Sequence, residues 1–332
     1  MSSSKVTIKE VAKRAGVSIA TVSRYINKSL HLREKNRRRI EKAIEELNYH
    51  PLIYARRLAG GKLNTFGLII PGYEGIFYSF YALKIIREVA AALDKEEIDM
   101  HLNIYRNQDN FNSSLVDGVI MADIISNNDQ LLRLKKEETP VVVINRELAD
   151  KDVSFVAVDN YKGAYEATEF LISHGHKKIA HLAGDLEVQC ARQRVDGFKG
   201  ALKKNGIKEN PNYICETNFS RAKAREELQK LFSTKKFPTA IFCCSDEVAS
   251  EVLSFADEHS INVPDKLSVI GFDDNPNFSY GNLMLTTVRQ PIDKMAYEAV
   301  KILKQVIDKK IPPQKLILEP KLVIRDTVGF FK

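Results

Sequence analysis

Apolar residues return in two different rhythms along this chain. In the first fifty residues Val11, Ala15, Val17, Val22 and Ile26 recur at the three- and four-residue steps that let short helices pack on one another. Thr7, with Glu10 three positions later, makes a capping box that starts a helix at Ile8. Gly16 ends it, because glycine accepts the backbone angles of a tight turn. Ser18 caps a second predicted helix over Ile19–Ile26. A third is predicted from about Glu34 to Leu47, with Ile40, Ala43, Ile44 and Leu47 on its apolar face and Arg33 where a capping Ser or Thr would serve better. Two short helices joined by a glycine turn fit a helix-turn-helix, and they fit a plain helical hairpin with charged faces equally well.

Beyond residue 63 the rhythm changes. Short apolar runs (FGLIIP, VDGVIM, VVVIN, KIAHLAG, TAIFCCSD, LSVIGFDD) alternate with amphipathic stretches such as YSFYALKIIREVAAAL. That alternation predicts parallel sheets with helices on both faces. About 270 residues exceed one open sheet, so two α/β subdomains are expected. Ligands of such folds bind at the carboxyl ends of strands. Asn145, Asp246 and the pair Asp273-Asp274 stand directly after apolar runs.

Composition sharpens the division. The 332 residues carry a net charge of +7, but residues 1–62 hold 15 Lys+Arg against 5 Asp+Glu, a net of +10, which leaves −3 for the remainder. A basic head on a mildly acidic body points the head at a polyanion, whether DNA, RNA or an anionic membrane surface. No apolar run reaches the length of a membrane span, and the N-terminus lacks the apolar core of a signal peptide, so the expected location is the cytoplasm. Cys190, Cys215, Cys243 and Cys244 show no CxxC spacing and read as reduced core thiols. The chain contains no phosphate-loop motif and no HExxH, and neither a cofactor, a metal site nor an enzymatic activity is expected.

The full strings narrow these readings. VTIKEVAKRAGVSIATVSRYIN (6–27), IEKAIEELNYHP (40–51) and YARRLAGG (54–61) closely resemble the DNA-binding head of the LacI/GalR family of bacterial regulators. The likeness continues through VAVDNYKGAYEATEFLISHGHKKIAHLAG, ARQRVDGFKGALKKNGI, FPTAIFCCSDEVA, LSVIGFDDNP and LTTVRQP, and so covers nearly the whole chain. The resemblance implies an all-α helix-turn-helix domain over 1–49 and a hinge over 50–62. It also implies two Rossmann-like parallel-sheet subdomains of the periplasmic-binding-protein type, over 63–158 with 291–316 and over 159–290 with 317–332.

It further implies that Ile19, Ala20 and Arg24 read bases, Arg24 through guanine O6/N7. Thr7, Ser18, Thr21, Ser23, Asn27 and His31 would contact phosphates or bases and set register. Read alone, residues 51–61 could be a flexible linker; by resemblance they form a hinge helix on DNA. There Tyr54, Ala55 and Arg57 would touch the duplex and Leu58 would wedge into its minor groove. Arg37, Arg38 and Arg39 read as a solvated face.

In the body, position assigns Asn145, Arg194, Asp246 and Asp273 to the hydroxyls of an effector and Phe80 and Phe219 to its faces, a set that suits a sugar ring. Asp274 reads as a structural cap, and Phe80 reads equally as one of an aromatic core cluster with Phe77, Tyr78 and Tyr81. His174 and His176 read as structural. Two departures accompany the likeness. Only RNQDNFNSSL stands where relatives carry a full helix after Met100–Tyr105, and Glu88 replaces a usual glycine.

The implied protein is a homodimeric regulator, expected to repress carbohydrate genes from a pseudo-palindromic operator of double-stranded DNA. A small sugar-like effector would control it. The alternatives are a global regulator with a phosphocarrier protein as corepressor, and a sugar carrier, which would leave the basic head unexplained. RDTVGFFK has no leucine heptads, so no C-terminal coiled-coil tetramer is expected.

Overall fold

The computed structural model describes residues 6–26, 32–49, 62–72, 76–105, 111–122, 128–233, 237–276, 278–309 and 311–331. The head is a three-helix unit: α1 (Ile8–Ala15), α2 (Ile19–Ile26) and α3 (Glu34–Leu47). The Thr7 amide and hydroxyl both donate to Glu10 Oε2, at 2.7 and 3.0 Å, and these bonds hold the Glu10 carboxyl below its usual range. Gly16 takes φ +64°, and Ser18 Oγ accepts the Thr21 N–H at 3.2 Å to open α2. Arg33 supplies no side-chain cap to α3. Val11, Val22 and Ile40 are fully buried where the three helices meet. The Tyr25 hydroxyl donates to Glu41 at 3.2 Å and ties α2 to α3.

The body follows in chain order. First come β1 (Thr65–Pro71), α4 (Phe80–Asp94), β2 (Asp99–Tyr105), β3 (Gly118–Ala122), α5 (Asn128–Lys136), β4 (Val141–Ile144) and β5 (Ser154–Val158). Next are α6 (Asn160–Ser173), β6 (Ile179–Ala183), α7 (Gln189–Lys204), β7 (Ile214–Glu216), α8 (Arg221–Phe232), β8 (Ala240–Cys243), α9 (Asp246–Glu258) and β9 (Ser268–Asp273). The last are β10 (Ser279–Tyr280), β11 (Leu283–Met284), β12 (Thr286–Arg289), α10 (Ile292–Lys309), β13 (Lys315–Leu318) and β14 (Lys321–Val323).

Two six-stranded sheets result. The first runs β13-β5-β4-β3-β1-β2, all parallel; the second runs β14-β12-β9-β8-β6-β7, parallel except for the β12/β14 pair. Phe66, Leu68 and Ile70 face α4 and α10 on one side of the first sheet, whereas Ile69, Val119 and Met121 face α5 on the other. The chain crosses between sheets three times, at 158–160, 289–292 and 318–321. The last crossing corrects the expected boundary at 316/317, because β13 stays paired with β5 through Leu318↔Val158.

Phe111 is buried over Gly67, with its ring 2.7 Å from where a Cβ would stand, and a single 3-10 turn at Ser113–Leu115 leads into β3. All four cysteines are buried and none forms a disulfide; burial pushes the Cys244 thiol up to about 12. His176 is structural: its ring nitrogens lie 3.0 Å from the Thr239 hydroxyl and 2.9 Å from the Ser268 hydroxyl, and the Phe331 ring stacks on it. Phe330 stacks on His174 in the same way.

Candidate functional site

The packing of the head decides which side of α2 is free. Val22 turns inward, and this leaves Ser18, Ile19, Ala20 and Arg24 exposed, with Thr21 and Ser23 half-buried beside them. Ile19 is 45% exposed, an apolar residue held out to solvent at the start of the helix. Ser18 and Thr21 already share a 2.8 Å hydroxyl–hydroxyl bond, so capping comes first for Ser18. Thr7 is exposed, with its amide and hydroxyl both bonded to Glu10. Arg37 and Arg38 are exposed and lie beside Glu34, as a solvated face should. Asn27, His31, Tyr54, Ala55, Arg57 and Leu58 lie outside the described residues.

In the body, the strand ends bring polar side chains together where burial makes them costly. Arg194, on α7, is 3% exposed; its Nε donates to Asn160 Oδ1 at 3.0 Å, its Nη1 donates to the Cys244 carbonyl, and its guanidinium lies 3.6 Å from the Phe272 ring centroid. Asp273, at the end of β9, accepts from Gln290 Nε2 at 2.6 Å. Burial pushes the Asp273 carboxyl well up, the Asp246 charge adds to this, and the Arg194 charge opposes it.

Asp246 opens α9 and is held by two bonds within the protein. Its Oδ1 accepts from the Thr287 hydroxyl at 2.6 Å and its Oδ2 from the Asn275 N–H at 2.7 Å. These bonds tie Asp246 to β12 and to the segment that follows β9. Burial raises its carboxyl to about 6 against the pull of those two bonds. Asp274 is structural, but as an ion-pair bridge between Arg289 and Arg325 rather than as a cap.

Asn145 ends β4 on the first sheet's side, with its Oδ1 buried and without a hydrogen-bond partner among the described residues. Phe219 covers Gly184, where a Cβ would stand 2.2 Å from the ring, and packs against Val188, Cys190 and Ala191. Phe80 opens α4 half-buried, while Phe77 and Tyr78 are 64% and 90% exposed, so the expected aromatic core cluster is not formed. The Phe80 N–H instead donates to Glu247 Oε1 at 2.9 Å, across from α4 to α9. Asn145, Phe219, Asp273 and Asp274 all have positive φ, the kind of backbone strain that clusters at binding sites.

Sequence reasoning missed several groups. Gln290 is 2% exposed, bonds Asp273 through its nitrogen and leaves Oε1 buried without a hydrogen-bond partner among the described residues. Gln189 and Gln193 clasp Glu147 across the two subdomains: the Glu147 N–H donates to Gln189 Oε1 at 2.8 Å, and Gln193 Nε2 donates to Glu147 Oε1 at 2.6 Å. The RQP string held the only sequence signal, a polar residue directly after a strand.

A helix-turn-helix head with its reading face open, on a two-sheet body with a polar cluster buried at strand ends, defines a class: DNA-binding proteins with a ligand-binding body. Residues 7–52 match the model of bacterial regulatory proteins of the lacI family, and residues 168–328 match that of the periplasmic binding protein-like domain. The chain is 33% identical to the HTH-type transcriptional regulator DegA of Bacillus subtilis (strain 168), over 98% of each. Among solved structures, the transcriptional regulator CelR in complex with cellobiose is 25% identical with a TM-score of 0.75, over 97% of this chain and 100% of that one. The Lac repressor dimer bound to operator and the anti-inducer ONPF shares the fold at 24% identity and a TM-score of 0.86, over 98% and 100%. The chain belongs to the lacI family of bacterial regulatory proteins; it is a DNA-binding transcriptional regulator and not an enzyme. No helix among the described residues is long and apolar enough to cross a membrane.

Proposed function

We propose that this protein is a homodimeric, cytoplasmic repressor of carbohydrate genes, released from or tightened on a pseudo-palindromic operator by an uncharged sugar. The buried cluster at the strand ends carries this reading. Asn145 Oδ1 and Gln290 Oε1 are buried acceptors with no hydrogen-bond partner among the described residues, the Asp273 carboxyl bonds Gln290, and Arg194 is already drawn inward by Asn160 and Cys244. Unpartnered buried acceptors call for a ligand that brings hydroxyl donors, as a sugar does. Phe219 and Phe80 supply faces for the apolar side of a sugar ring. The regulator complexed with cellobiose supports the same class of ligand.

On the DNA side, Ile19, Ala20 and Arg24 read bases, with Thr7, Ser18, Thr21, Ser23, Asn27 and His31 setting register. Residues 50–62 serve as the hinge, in which Tyr54, Ala55 and Arg57 touch the duplex and Leu58 wedges into its minor groove. Arg24→Ala should cost about 1–3 kcal/mol on the best duplex and relax its specificity at one base pair. Leu58→Ala should weaken operator binding, and an unchanged affinity would remove the wedge from the account.

The effector reading is tested by a thermal-shift screen of neutral sugars and sugar phosphates, repeated on Asp273→Ala. A neutral sugar should raise the melting temperature of the parent and leave the variant unmoved. Stabilisation by sugar phosphates alone, or stabilisation that survives in the variant, would contradict it.

A further inference from the structure

We propose that α10 and the Asp117–Gly118 step carry cleft occupancy to the exit of the DNA-binding arm. The proposal rests on reading the Asp273 cluster as the effector site.

At the arm's exit, residues 62–65 enter the body through a socket built by one carboxylate. Asp117 Oδ1 accepts the Leu63 N–H at 2.9 Å, and its Oδ2 accepts the Asn64 N–H at 2.7 Å and the Thr65 N–H at 3.4 Å. Asn64 sits in the left-handed region at φ +57°, and its side-chain amide donates to the Glu97 carbonyl. Lys62 pairs with Asp308 near the end of α10. This pair is solvent-exposed and weak by itself; three backbone donors on one carboxylate set the direction of the chain.

Gly118 connects that socket to α10. A Cβ there would stand 2.8 Å from Leu303 and 2.9 Å from Ile307, so the helix rides on bare backbone one residue from Asp117. The other end of α10 is built on the cleft. The Ile292 N–H donates to the Gln290 carbonyl at 2.9 Å and the Met295 N–H to the Pro291 carbonyl at 2.9 Å, while the Gln290 side chain bonds Asp273 at 2.6 Å. Between the ends lie 18 helical residues, about 27 Å, with Ile292, Met295, Ala296, Ala299, Val300 and Leu303 buried in the first subdomain's core. A ligand that takes up Asp273 or Gln290 Oε1 therefore acts on the first turn of a packed rod whose last turns bear on Gly118. Close-packed elements shift as units rather than deform, which gives the path its means of transmission.

Amide hydrogen exchange on the full chain tests this without DNA and without an effector. In Gln290→Ala, exchange at Leu63 and Asn64 should rise at least tenfold, while Val142 and Val143 in the same sheet keep their protection. Gly118→Ala, which perturbs the far end, should loosen the same two amides, and the double variant should add nothing further. Unchanged exchange at Leu63 and Asn64 in Gln290→Ala, or a rise matched by Val142 and Val143, would overturn the proposal. So would additive effects in the double variant. Failure of the chain to bind any DNA duplex would instead strike the regulator reading, and leaves the exchange result to be judged separately.

Discussion

Asp246 and His181 lie buried in the second subdomain and respond to acid in opposite senses. Burial raises the Asp246 carboxyl to about 6, above the usual value for an aspartate. It therefore contributes stability that is fully present below about pH 4 and is lost as pH rises through 6. His181, on β6 between Phe198 and Phe242, is pushed down to about 4 by burial, with the Arg194 charge adding to the shift against its bond to the Phe242 carbonyl. Its contribution is present above about pH 6.5 and is lost as pH falls through 4. Within the window from 4 to 6.5 the two oppose one another. Asp246→Asn should therefore lose stability more steeply on acidification than the parent, and His181→Gln less steeply, as read from urea midpoints across that window. Equal slopes in all three proteins would contradict the assignment. The place of Asp273 at the end of an apolar strand was legible in the sequence, because the run LSVIGF stops at it. The bonds that Asp246 makes to Thr287 and to the Asn275 amide were not, since no spacing records them.

Helix and strand boundaries follow the local chemistry closely where a cap or turn residue stands at the end. The three head helices begin and end where Thr7, Gly16, Ser18 and Leu47 place them, because caps act within one turn of the chain. Gly16→Ala should destabilise the head by about 1–2 kcal/mol through its left-handed backbone. Ile40→Ala, emptying a fully buried site, should cost about 2–5 kcal/mol. Separate melting of the head under calorimetry would show both. The β13/β14 crossover was misplaced by two residues, because the LILEPKLVI stretch suits a strand in either sheet and only pairing with β5 decides. The aromatics at 77–81 illustrate the same limit: their composition suggests a core, but a 3-10 turn at Ile76–Tyr78 points Phe77 and Tyr78 outward. Gly184→Ala would test one element directly. Its Cβ displaces Phe219, and sugar affinity should fall at least tenfold with β6 intact; unchanged affinity would remove Phe219 from the site.

Across the whole molecule, charge and fold divide the work in the same place. The head holds the entire basic excess and the open face of α2, and the body holds the buried acceptor cluster. Because a dimer neutralises several phosphates, operator affinity should fall by about three orders of magnitude between 50 and 200 mM salt. The most direct test of the account is equilibrium binding of a duplex selected by this protein from a random-sequence pool. It should be read against a scrambled duplex, with and without the sugar found by thermal shift. The account predicts at least a thousandfold preference for the selected duplex, as specific readers show, and a change of at least tenfold on adding the sugar. Equal affinity for the two duplexes, or a preference the sugar leaves untouched, would contradict it.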